Sequence, residues 1–112
     1  MSDCLFCRIA AGEVPAEIVY EDDKVVVFKD INPKATVHLL LIPREHVASL
    51  NEVTPEQDAL LGYMLRLTAK LAADQGLTEG YRTIINTGPG GGQVIFHLHM
   101  HLLGGEGLPG FG

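Results

Sequence analysis

Two periods organise the apolar positions of this chain. Near its end the run Phe96-His97-Leu98-His99-Met100-His101-Leu102 alternates strictly. A period of two belongs to a β-strand, so His97, His99 and His101 are expected on one face and Phe96, Leu98, Met100 and Leu102 on the core face. Residues 81–86 read as a preceding strand, and the short glycine-rich loop at 87–93 makes the two antiparallel neighbours. Residues 18–20 and 25–28 read as a hairpin about the polar turn Glu21-Asp22-Asp23, its second strand buried on both faces. Residues 38–42 form a further strand closed by Pro43, with His38 on the face of Leu40 and Ile42.

A helical period marks two other segments. Thr54-Pro55-Glu56 supplies a capping hydroxyl, proline at the first helical position and an acidic first turn, which predicts a helix running to about Gln75 and stopped by Gly76. Leu60, Met64, Leu67 and Leu71 form one apolar stripe, and Leu61, Leu65 and Ala72 a second; Arg66, Lys70 and Asp74 leave only a narrow polar one. One stripe suffices to cover a sheet, so the second predicts a homodimer. A shorter helix is predicted over residues 4–10, capped by Asp3 and ended by Gly12 and Pro15. It makes Cys4 and Cys7 neighbours at i and i+3, so that their sulfurs can approach one site.

Composition narrows the classes. The chain has 112 residues, 46% hydrophobic and 20% charged, which predicts one globular domain over 1–112. A formal charge of −6 with no Lys/Arg run argues against broad nucleic-acid binding, so a phosphate ligand must be held locally by backbone amides and histidines. No apolar run has the length of a membrane span, and Met1-Ser2-Asp3-Cys4 lacks a signal pattern, so a cytoplasmic protein without a membrane partner is expected. In a reducing compartment the two cysteines suggest a metal pair, a redox pair or packed thiols more than a disulfide. A redox pair is disfavoured by the lack of a thioredoxin-like β-α-β context.

The chemistry concentrates at the histidines. Alternate imidazoles lie about 6.6–6.8 Å apart along a strand, and they can ligate a metal or handle an anion by donating hydrogen bonds, carrying a proton or attacking as nucleophiles. The preceding Gly90-Gly91-Gly92 lacks the lysine and following helix of a P-loop, but lets backbone N–H groups approach a phosphate. Asp30, in the loop Asp30-Ile31-Asn32-Pro33, can accept hydrogen bonds from ribose hydroxyls, and Asn86 can reach a ribose or phosphate. His46 opens a loop after Pro43-Arg44-Glu45.

His97-Leu98-His99-Met100-His101-Leu102-Leu103 resembles the His-φ-His-φ-His-φ-φ signature of the histidine triad family. From Cys4 to Gly105 the chain resembles its nucleotide-binding purine phosphoramidase branch, through Leu5-Phe6-Cys7-Arg8-Ile9, Phe28-Lys29-Asp30-Ile31-Asn32-Pro33, His38-Leu39-Leu40-Leu41-Ile42-Pro43 and Gly91-Gly92-Gln93. The resemblance implies an α+β fold with a mainly antiparallel sheet of about five strands, two helices, and sheets joined across a homodimer. It implies a nucleotidyl hydrolase that cleaves purine nucleoside phosphoramidates through a nucleotidyl-histidine intermediate. Alternatives are a dinucleoside polyphosphate hydrolase with the same nucleophile, or a nucleotide-binding interaction module whose hydrolysis is incidental.

By the same resemblance His99 is the nucleophile, His101 handles the phosphate oxygens or leaving group, and His38 supports the cluster. Asp30 and Ile31 match the ribose and base pocket, Asn86 a nucleotide contact, and Gly92, Gln93 and Val94 the phosphate loop. His97 has two readings: in some relatives it orients the nucleophile, and in others, with an N-terminal Cys-x-x-Cys, it binds zinc. Cys4, Cys7, His46 and His97 would then hold a structural zinc, while the hydrolytic step itself is expected to need no cofactor. Val94 stands where the animal branch has serine, and the tail lacks that branch's Trp-Pro-Pro ending, so the leaving group is less firmly implied than nucleotidyl transfer.

Overall fold

The computed structural model describes residues 3–108. Five strands form one antiparallel sheet in the order β1-β2-β3-β5-β4. They are β1 (Ile18–Glu21), β2 (Val25–Lys29), β3 (Val37–Pro43), β4 (Tyr81–Ile84) and β5 (Met100–Gly104). Two α-helices, α1 (Leu5–Ala10) and α2 (Asp58–Asp74), complete the α+β architecture.

The alternation of side chains divides β2, β3 and β5 between two covers. Val25, Val27, Leu39, Leu41, Met100 and Leu102 pack with Met64, Leu67, Leu71 and Ala72 of α2. On the opposite face Val26, Phe28, Leu40 and Ile42 pack with Phe6 and Ile9 of α1. β2 is therefore buried on both faces, as its unbroken apolar run predicts. Ala72, assigned above to a second stripe, belongs to the core; Leu65 is exposed and Leu61 half-buried.

Local chemistry explains the boundaries. Thr54 forms a capping box with Gln57, and a 3₁₀ turn at Pro55–Gln57 leads into α2. Gly76, at φ 76°, follows its end. The cap of α1 is Cys4 and not Asp3: the Cys4 sulfur accepts from the Cys7 N–H at 3.3 Å. Arg44 then fastens this helix to the sheet, donating to the carbonyls of Ala10 at 2.8 Å and Asp22 at 2.7 Å and to the Glu21 carboxylate at 2.9 Å.

The histidine strand is shorter than its sequence pattern. β5 begins at Met100, opposite Leu41, and β4 reaches only Ile84, opposite His101, so His97 and His99 precede the ladder. Without a β4 partner, residues 94–99 are held otherwise, including a bond from the Leu98 N–H to the Val47 carbonyl at 2.7 Å. Leu98, Met100 and Leu102 keep the expected core face, but Phe96 turns outward and is 45% exposed.

Candidate active site and metal cluster

His38 and His101 come together because β3 and β5 pair with Leu40 opposite His101. Nδ1 of His38 accepts the Lys34 N–H at 3.1 Å, so its ring proton sits on Nε2. That nitrogen faces Nδ1 of His101 at 2.9 Å and the Asp30 carboxylate at 3.4 Å. His38 therefore donates, His101 accepts on Nδ1, and the His101 proton is assigned to Nε2.

His99 is fixed differently. Its Nδ1 lies 2.7 Å from the His97 carbonyl oxygen, which can only accept, so the proton is on Nδ1 and Nε2 keeps its lone pair. The edge of Phe6 packs on His99 with ring centroids 5.1 Å apart, and His101 lies at 5.0 Å. Burial, with His99 and His38 nearby, pushes His101 down to about 4, and burial lowers His38 against the pull of Asp30. Both rings are therefore neutral near pH 7, as the hydrogen-bond assignment requires.

Beside these rings is a cavity of about 300 Å³ whose walls include Phe6, Ile9, Phe28, Leu40 and Ile95, with Asp30 and Ile31 at its loop side. The apolar walls and one carboxylate suit a ligand with a flat apolar part and neighbouring hydroxyls. No histidine lines this cavity or a larger recess of about 610 Å³ against Tyr81, Arg82 and the segment following β5; the smaller cavity joins the site through Phe6, which packs on His99. Sequence reasoning finds Asp30 and Ile31 but misses Phe6, Ile9, Phe28, Leu40 and Ile95. Leu40 and Phe28 carry a legible signal, since both lie on the His38 side of the sheet.

The glycine loop is braced from within. Gln93 is buried; its Nε2 donates to the carbonyls of Ala48 at 2.8 Å and Ile95 at 3.0 Å, and its Oε1 accepts the Gly88 N–H at 2.9 Å. The N–H groups of Gly91, Gly92 and Gln93 close turns onto Gly88, Pro89 and Gly88. Gln93 and these amides thus shape the loop, whereas Val94 is 84% exposed. Asn86 lies beside Gly92, its Cγ 3.9 Å from where a Cβ would stand.

The ring nitrogens of His97 have partners other than His99. Its buried ring donates from Nε2 to the Pro43 carbonyl at 2.8 Å, leaving the Nδ1 lone pair toward α1. Around Nδ1 stand Cys4 Sγ at 3.3 Å, Cys7 Sγ at 3.5 Å and His46 Nδ1 at 3.2 Å, and Cys7 Sγ is 3.3 Å from His46 Nδ1. A tetrahedral zinc, with bonds of about 2.0–2.1 Å to nitrogen and about 2.3 Å to sulfur, holds such atoms about 3.3–3.6 Å apart. The four side chains fit that ion, and the Pro43 carbonyl supplies the outer contact that fixes a ligating imidazole. The two readings of His97 are thereby divided: its backbone touches the neighbouring histidine and its side chain joins the cysteines.

Residues 11–108 match the HIT domain family model. The purine nucleoside phosphoramidase of Escherichia coli K12 is 45% identical over 107 residues, covering 95% of this chain and 90% of that protein. A HIT family hydrolase from Legionella pneumophila superposes with a TM-score of 0.91 at 48% identity, covering 93% of this chain and 94% of that one. A zinc-bound histidine triad family protein from Mycobacterium smegmatis superposes with a TM-score of 0.79 at 34% identity, over 91% and 74%. The chain belongs to the HIT domain family.

Proposed function

We propose that the protein hydrolyses purine nucleoside phosphoramidates to the nucleoside monophosphate. The observation that carries this reading is the 2.7 Å contact of the His97 carbonyl with His99 Nδ1, which selects the tautomer whose lone pair, the nucleophile, is on Nε2. Nε2 attacks the α-phosphorus, the P–N bond breaks, and the amine departs with a proton from solvent. The nucleotidyl-imidazolium that forms is stabilised by the same carbonyl. Water then displaces His99 and releases the nucleotide.

The other residues divide the remaining work. His101 directs its Nε2–H to the phosphoryl oxygens as charge develops, and His38 holds it in that tautomer. Asp30 accepts from the ribose, and Phe6, Phe28, Ile31 and Leu40 enclose the base. Val94 offers its backbone N–H and Asn86 its amide, while Gly92 and Gln93 hold the loop around them. The name of the 45% identical Escherichia coli relative supports the choice of a phosphoramidate.

The same reading includes a structural zinc on Cys4, Cys7, His46 and His97, and a homodimer. Zinc is supported by the donor spacing and by the zinc-bound relative. The dimer is supported by exposed Leu65 on α2 and by β4, which ends the sheet and exposes Tyr81. No helix among the described residues is long and apolar enough to cross a membrane. The reduced thiols of the proposed zinc site suit a cytoplasmic setting.

The test is release of AMP from an adenosine phosphoramidate, followed beside His99→Ala. At least a thousand-fold loss, on the order seen when covalent nucleophiles are removed, is expected. Equal rates would exclude His99, and cleavage of diadenosine polyphosphate alone would establish the alternative hydrolase. Metal analysis and sedimentation of the purified protein test zinc and the dimer separately.

A further inference from the structure

We propose that the Cys4, Cys7, His46, His97 cluster positions the nucleotide site, so that a thiophilic divalent cation and a nucleoside monophosphate bind with positive, reciprocal coupling. This rests on the zinc reading above and extends it from a structural ion to a linked one.

The physical connection runs through α1 and through the backbone of His97. α1 has six residues, too few for a helix to persist without outside contacts. Its first turn is capped by the Cys4 sulfur, which also faces His97 at 3.3 Å. Between the two cysteines sits Phe6, whose ring meets His97 at 6.0 Å, His99 at 5.1 Å and Phe28 at 5.5 Å. One side chain thus touches a cluster ligand, the proposed nucleophile and a wall of the base cavity.

The second route is shorter. His97 gives its Nδ1 to the cluster and its carbonyl oxygen to His99. Without a cation the two thiols and two imidazoles hold one another only by weak S–H···N contacts; four bonds to a cation fix them. Fixing them sets the carbonyl that dictates the His99 tautomer and the ring that closes the cavity. A nucleotide seated there stabilises the same arrangement, and linkage requires the effect to be equal in both directions.

The experiment uses the whole reduced protein. AMP affinity is measured by calorimetry on zinc-loaded and zinc-stripped protein, and zinc affinity by competition with a chromophoric chelator with and without saturating AMP. Both routes are expected to give the same factor, about five- to ten-fold. Long-range ¹H–¹⁵N spectra of the imidazoles report His99 directly: Nδ1–H in the loaded protein, mixed tautomers in the stripped one. His46→Ala removes an exposed ligand outside Phe6 and His99, and is expected to weaken zinc and reduce the coupling while circular dichroism stays unchanged.

Stoichiometric zinc with AMP affinity changed less than two-fold and an unchanged His99 tautomer overturns the coupling and leaves the zinc reading intact. Failure to bind stoichiometric zinc overturns both. If the stripped protein unfolds, AMP affinity is compared between zinc-loaded wild type and folded His46→Ala: a weaker affinity in the variant is expected, and an equal one overturns the coupling.

Discussion

His38 donates its Nε2–H to Nδ1 of His101 across 2.9 Å, and it does so because the Lys34 N–H occupies its other nitrogen. A single main-chain amide therefore sets the proton positions of two successive rings. Replacing His38 with alanine removes the donor while leaving His101 in place. The expected result is a fall in kcat of about 10- to 100-fold, the usual cost of losing a partner that fixes a histidine's tautomer. Steady-state kinetics on an adenosine phosphoramidate, with KM changed less than kcat, checks it.

His101 gives a pH prediction. Burial holds its folded-state pKa at about 4, against 6.5 in the unfolded chain, so between these values the unfolded state binds more protons. The stabilising contribution is complete above pH 6.5 and is lost as pH falls toward 4. Thermal melts should show Tm rising with pH across that window, with a smaller slope in His101→Asn. An NMR titration of the His101 ring should have its midpoint near 4.

Asp22 behaves in the opposite sense to a buried acid. Burial raises its pKa, but the hydroxyls of Tyr63 and Tyr20 and the N–H groups of Lys24 and Val25 outweigh it and hold it at about 2. These bonds tie the β1–β2 turn to α2. Asp22→Asn should cost about 1 kcal/mol at pH 7, a partly exposed charged hydrogen-bond contribution. The wild-type advantage is present above about pH 4 and disappears as pH falls through about 2, which urea denaturation at several pH values can read.

Gly105 and Gly104 are adjacent but differ in what an added methyl meets. At Gly105, with φ at 81°, a Cβ would lie 2.8 Å from Cβ of Thr36, whose hydroxyl and amide bond Glu106. At Gly104 the nearest atoms it would meet belong to the Leu77 side chain, its Cδ1 at 2.4 Å. Gly105→Ala should therefore destabilise the fold by about 1–3 kcal/mol and by more than Gly104→Ala. Chemical denaturation of the two variants compares them.

The strands, α2 and the division of the core are legible because Val25, Val27, Leu39 and Leu41 carry their burial in simple alternation. Cys4, Cys7, His46 and His97 also converge as their types suggest. Phe96 departs from the pattern because β4 ends at Ile84 and no ladder extends to its position. The Cys4 cap was hidden because a sulfur took the place expected of the Asp3 carboxylate. Gln93 is identified by position, but its work inside the loop depends on three main-chain groups that its letter does not announce.

Main-chain atoms hold a further consequence. The carbonyls of Pro43 and His97 and the amide of Lys34 each claim one nitrogen of a histidine, and every residue in any sequence except proline supplies both such groups. Most point mutations therefore leave the polarity of these rings untouched. Lys34→Pro, or exchange of that amide for an ester by chemical synthesis, would remove the commanding donor and release the proton order of the relay with both imidazoles unchanged.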